Sequence, residues 1–109
     1  MNSSPIPALF NTRFTAGDWH NFAITLDFTK STTQVYYSKN GSPLASTGAA
    51  MANNVAGQGE YHFGILKKPI GGGSDIPHNG FQPSGISEGV VFGGIFEEDS
   101  TGGCVSLKP

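Results

Sequence analysis

The stretch "WHNFAITLDF", Trp19–Phe28, followed by "TTQVYYSKNGSPLAST", Thr32–Thr47, decides the fold class. Phe22, Ile24, Leu26 and Phe28 alternate with Ala23, Thr25 and Asp27, a period of two that belongs to a half-buried strand. The following run is rich in β-formers. It carries Asn40-Gly41 between two short extended pieces, a strong hairpin signal that expects positive φ at both turn residues.

Outward from this pair the same grammar recurs. In "EYHFGILKK" Tyr61, Phe63 and Ile65 fall on one face and Glu60, His62 and Leu66 on the other. "EGVVFGGIFEE" puts Val90, Phe92 and Phe96 on one side and Val91 and Ile95 on the other, with a bulge or close approach expected at Gly93-Gly94. Residues 1–17 read as an irregular segment with Pro5 and Pro7, "AAMANNVAGQG" as a loop, and Gly71-Gly72-Gly73 as a connection. There is no internal repeat and no convincing helix. Four or five antiparallel strands make the class all-β and sandwich-like. Two packed sheets ordinarily need more strands, so a small half-barrel or an incomplete domain is expected.

Composition narrows the function. Sixteen Gly, seven Pro and a set of aromatics suit a turn-rich β protein of one domain at most, 109 residues long. Six scattered Lys/Arg and a net charge of −2 form no basic stripe, which argues against nucleic acid. No apolar run approaches the roughly 20 residues of a membrane span, and "MNSSPIPALF" lacks the regions of a signal peptide. Cys104 has no cysteine to pair with inside the chain, and reads as a structural thiol or one whose partner is missing.

The chemistry-bearing residues are few. His20, His62 and His78 lie far apart and form no ligand pair, so no metal is expected. Cys104 has no adjacent base, there is no Gly-x-Ser-x-Gly, and "PIGGGSD" lacks the Gly-Lys-Ser/Thr of a phosphate loop, so no cofactor is implied. Carboxylate chemistry has Glu60, Asp75 and Glu88 as candidates, each also readable as a solvated strand-edge charge. A glycosidase pair stands roughly 5 Å apart for retention or roughly 6.5–9.5 Å for inversion. Glu97, Glu98 and Asp99 read as a solvated acidic turn. For sugar recognition Trp19, Tyr36 and Tyr37 supply flat faces with polar tips, and alternation requires one of the two tyrosines to be core. Gln58, Asn79 and Gln82 supply planar amides.

Five blocks, "DWHNFAITLDF", "TQVYYSKNGSPL", "GQGEYHFGILKKP", "HNGFQPSGISEGVVFGGIFEED" and "GCVSL", in that order resemble the C-terminal part of the fungal glycoside hydrolase family 131 catalytic domain. The resemblance covers about Phe14 to Leu107, so residues 18–109 are expected to be part of a longer β-domain of that family. It implies a secreted, extracellular β-jelly roll, monomeric when complete. The implied partner is β-glucan polysaccharide with 1,3, 1,4 or 1,6 linkages, and hydrolysis is the implied activity. It also implies catalytic glutamates upstream of Met1, which leaves the isolated chain's activity in question. A non-catalytic glucan-binding module or an inactive fragment is the alternative. By the same resemblance His78, in "IPHNGFQ", matches the family's histidine. Gln82, Asn79, His62 and Trp19 are the expected substrate-binding residues, with the glycine stretch delivering His78 and Gln82 to a cleft.

Overall fold

The computed structural model describes residues 7–54, 60–71 and 73–109. Pro5, Gln58 and Gly72, singled out above, lie outside the described residues. The chain forms two compact units, Met1–Gly59 with Phe96–Pro109, and Glu60–Ile95.

The first unit is built on the expected strands. β1 (His20–Asp27) and β2 (Thr32–Lys39) pair antiparallel with Phe22 opposite Tyr37, Ile24 opposite Val35 and Leu26 opposite Thr33. Side chains alternate along a strand, so this register puts the apolar residues of both strands on one face. Ala23 and Tyr36, Thr25 and Gln34 share the other. The connection is stapled by Asp27, whose Oδ1 accepts the N–H groups of Thr29 (3.0 Å) and Lys30 (2.8 Å), an Asx turn. Ser31 closes it in the left-handed region at φ 51°.

The other edge of β2 carries two short strands in succession, β3 (Ala45–Ser46) opposite Tyr36–Tyr37 and β4 (Met51–Ala52) opposite Thr32–Thr33. Met51–Ala52 therefore lies in a strand where the sequence suggested only loop, because β2 offers it a free edge. At Asn40-Gly41 only Asn40 takes positive φ, 54°. The expectation of two such residues fails because this is no two-residue hairpin: the ladder resumes at Tyr37 opposite Ala45, and the intervening chain is not held to that geometry.

The apolar face is part-covered by the N-terminal segment. Phe10 sits with its ring centroid 5.0 Å from Tyr37 and 6.2 Å from Phe22, and Phe14 stacks on His20 at 4.9 Å. Leu44 is the buried apolar residue among those described, and its N–H donates to the Leu107 carbonyl at 2.8 Å. Phe22 and Ile24 stay more than half exposed. With one antiparallel sheet among the described residues, the fold is all-β and an incomplete sandwich.

The alternating runs expected as strands, "EYHFGILKK" in the Glu60–Ile95 unit and "EGVVFGGIFEE", which starts in that unit and ends at Glu98, form no ladder among the described residues. A strand is stabilised by a neighbouring backbone, which alternation alone does not supply. Among the described residues the unit's β contact is the isolated bridge between Ile70 and Phe81, and between them lies α1 (Ile76–Asn79), one turn where no helix is expected from the sequence.

Candidate functional site

The bridge between Ile70 and Phe81 forms a neck on the segment that carries Asp75, His78 and Asn79. Ile70 N–H donates to the Phe81 carbonyl at 2.7 Å and Phe81 N–H returns to Ile70 at 2.8 Å. Just outside this neck Gln82 Nε2 donates to the Lys67 carbonyl at 3.1 Å, and the Lys67 ammonium is paired with Glu88. The glycines serve this closure: Gly71 and Gly73 take φ of 72° and 56°, conformations that other residues resist.

At the loop's far side Asp75 gathers its neighbours. Its Oδ1 accepts from His78 Nδ1 at 2.7 Å and its Oδ2 from Asn79 Nδ2 at 3.1 Å. Its backbone carbonyl accepts the N–H groups of His78 (3.3 Å) and Asn79 (2.9 Å). A carboxylate before a helical turn usually accepts backbone N–H groups of the second or third helical residue. Here the second is Pro77, which has none, and the His78 N–H goes to the Asp75 carbonyl. Both carboxylate oxygens therefore hold side chains. With Nδ1–H given to Asp75, the neutral ring keeps Nε2 as an acceptor, on a side chain 82% exposed.

The expected site residues thus divide. His78 and Asn79 meet on Asp75, and Gln82 stands at the neck of the same loop. His62 is apart from them in its contacts: its Nε2 meets Glu60 Oε2 at 3.2 Å, both side chains exposed. Trp19 belongs to the sheet unit, 56% exposed at the start of β1, with its N–H donating to Asn40 Oδ1 at 2.9 Å. The carboxylate candidates Glu60, Asp75 and Glu88 all have partners, His62, His78 with Asn79, and Lys67.

A polar network at the end of the sheet was not foreseen. His20 Nε2 meets Thr15 at both its N–H (3.2 Å) and its Oγ1 (3.0 Å), and His20 Nδ1 is hydrogen-bonded to the Tyr37 hydroxyl (2.7 Å). The Thr15 hydroxyl donates to Asp18 Oδ2 at 2.7 Å, and Lys39 Nζ reaches both Thr15 Oγ1 and Asp18 Oδ2 at 2.9 Å. Asn40 Nδ2 adds a bond to Asp18 Oδ1 at 3.2 Å. The Thr15 hydroxyl first, then Lys39 and Asn40, hold the Asp18 carboxyl well below its ordinary range, and Asp18 in turn raises Lys39. Tyr37 is accordingly the tyrosine of the apolar face, while Tyr36 donates to Gln34 Oε1 at 3.2 Å on the other. The acidic turn is also bonded rather than merely solvated. Glu98 accepts from Ser106 N–H and Oγ, each at 2.7 Å, and Asp99 from Thr101, which lowers both carboxyl groups. Cys104 is exposed.

A groove of about 320 Å³ lies beside β2, lined by Leu9, Thr33, Val35, Thr47, Gly48, Ala49 and Met51. None of the expected site residues lines it. Among the described residues no helix is long and apolar enough to cross a membrane.

Over residues 1–103 the sequence matches a family described as the glycoside hydrolase 131 catalytic N-terminal domain. No curated protein and no solved structure matches the chain.

Proposed function

Because the chain belongs to the glycoside hydrolase 131 catalytic N-terminal domain family, we propose that it takes part in the hydrolysis of β-glucans with 1,3, 1,4 or 1,6 linkages. The same proposal makes it the later part of a secreted fungal domain, working on cell-wall polysaccharide outside the cell. The observation that carries it is the family match over residues 1–103.

His78 is the residue to which we give a catalytic role, with Asn79 and Gln82 as substrate contacts. Its imidazole sits on a loop closed at the neck and is itself held by a carboxylate. A ring so fixed can bond a sugar hydroxyl or orient a reacting carboxyl group. Glu60 and Glu88 receive no acid or base role, since each is paired with a basic side chain. Trp19 offers a ring face for a pyranose on the sheet unit, and His62 is the weaker contact.

The test is release of oligosaccharides from 1,3- and mixed-linkage β-glucan by the protein and by its His78→Ala variant. Loss of release in the variant is expected, and unchanged release removes His78 from the mechanism. A second reading, glucan binding without cleavage, is favoured by the pairing of Glu60 and Glu88. It predicts retardation in a β-glucan gel with no release of oligosaccharide, and normal migration counts against it.

A further inference from the structure

We propose that Asp75 is a positioning residue for His78, fixing the imidazole as the Nδ1–H tautomer so that Nε2 accepts a hydrogen bond from a glucan hydroxyl. The inference rests on the reading of His78 as part of the glucan site, and adds to it the group that sets the ring's chemistry.

Three features carry it. The Asp75 Oδ1 to His78 Nδ1 bond is short, 2.7 Å, and a carboxylate can only accept there, so the proton belongs to Nδ1. The carboxylate is itself braced: His78 Nδ1 holds Oδ1 and Asn79 Nδ2 holds Oδ2, so it cannot rotate without breaking both bonds, and the Asp75 backbone carbonyl takes the His78 and Asn79 N–H groups, which fixes the turn that carries them. Pro77 removes a backbone N–H that would otherwise compete for the carboxylate. A free imidazole divides between two neutral tautomers, and holding one of them leaves a single acceptor nitrogen facing outward. Sugar hydroxyls are donors as well as acceptors, so a lone nitrogen acceptor is a chemically suitable partner.

The experiment is nitrogen-15 NMR of the imidazole side chains in the full chain, at a pH well above the ordinary histidine value of about 6.5. The His78 signals are identified by their loss in His78→Gln. Wild type is expected to show the Nδ1–H tautomer, as is Asn79→Ala, which keeps the Asp75–His78 bond. Asp75→Asn, whose amide can donate as well as accept, is expected to give a mixture. Addition of a soluble β-1,3-glucan oligosaccharide is expected to move the Nε2 signal in wild type and much less in Asp75→Asn. Hydrolysis by Asp75→Asn should fall on the order of tenfold to a hundredfold in kcat, as for misplaced catalytic groups.

A predominant Nε2–H tautomer in wild type, or the same tautomer ratio in wild type and Asp75→Asn, overturns the proposal. So does an Nε2 signal indifferent to the oligosaccharide while hydrolysis is lost in His78→Ala. A tautomer set by Asp75 together with full hydrolysis in His78→Ala supports the positioning and overturns instead the catalytic reading of His78.

Discussion

His20 and Tyr37 lie 17 residues apart in sequence, and His20 Nδ1 is hydrogen-bonded to the Tyr37 hydroxyl at 2.7 Å across the β1–β2 ladder. They are not directly opposite: the register pairs His20 with Lys39 and Phe22 with Tyr37, so the bond runs diagonally on the apolar face. Thr15 holds the other ring nitrogen and Phe14 stacks on the ring, so one histidine joins the N-terminal segment to both long strands.

Tyr37→Phe keeps the aromatic packing against Phe10 and Phe22 but leaves His20 Nδ1 without its hydrogen-bond partner. The expected cost is about 1 kcal/mol of stability, read as a lower urea midpoint. Tyr36→Phe, on the other face, is expected to cost less, since the Tyr36 hydroxyl bond to Gln34 is longer, 3.2 Å. Equal losses in the two variants would contradict the assignment of Tyr37 to the apolar face.

Among the described residues two non-glycine residues adopt positive φ, with opposite expected responses to substitution. Asn40→Ala keeps the left-handed backbone without the side chain that binds Trp19 and Asp18, and should cost about 2 kcal/mol. Ser31→Gly relieves left-handed strain of about 1 kcal/mol, partly offset by glycine's greater freedom in the unfolded chain. Thermal melts should therefore move down for the first and up or little for the second.

Asp18 has a folded-state pKa lowered from 3.8, so folding favours its ionised form. That contribution is fully present above the ordinary value and is lost as pH falls through the folded one. Asp18→Asn should flatten the acid limb of the stability profile below about pH 4, and added salt should weaken the wild-type effect because Asp18 and Lys39 are part-exposed. A wild-type acid limb unchanged by Asp18→Asn would place the titrating group elsewhere.

Phe81→Pro removes the N–H that closes the loop neck on Ile70. Glucan hydrolysis is expected to fall on the order of a hundredfold if the neck holds His78 in place, while far-ultraviolet dichroism of the sheet is retained. Full activity in this variant would mean that the neck does not position the histidine.

β1 and β2 were legible because alternation and a real pairing partner coincide: Phe22, Ile24 and Leu26 meet Tyr37, Val35 and Thr33. The same alternation at Tyr61–Ile65 misled, since pattern records which faces a chain could bury and says nothing of whether a neighbour is there. Sequence brought out His78 and Asn79 through resemblance and residue type, but left Asp75 as a separate carboxylate. Its spacing, three residues before His78 and four before Asn79, was the available signal, hidden because a single turn is too short to show a helical period. The bonds of His20 to Tyr37 and of Glu98 to Ser106 depend on register and loop closure, which no local pattern encodes.

The bond from Leu44 to Leu107 joins two pieces of the sheet unit that lie on either side of Glu60–Ile95 in the chain. During synthesis from the N-terminus the β1–β2 hairpin has all its residues once Lys39 has emerged, and such local pairing forms early. The Leu44 amide must wait until more than sixty further residues are made before its acceptor exists. A ribosome paused within Glu60–Ile95 would thus display a formed hairpin with an unfinished edge, exposed to other chains.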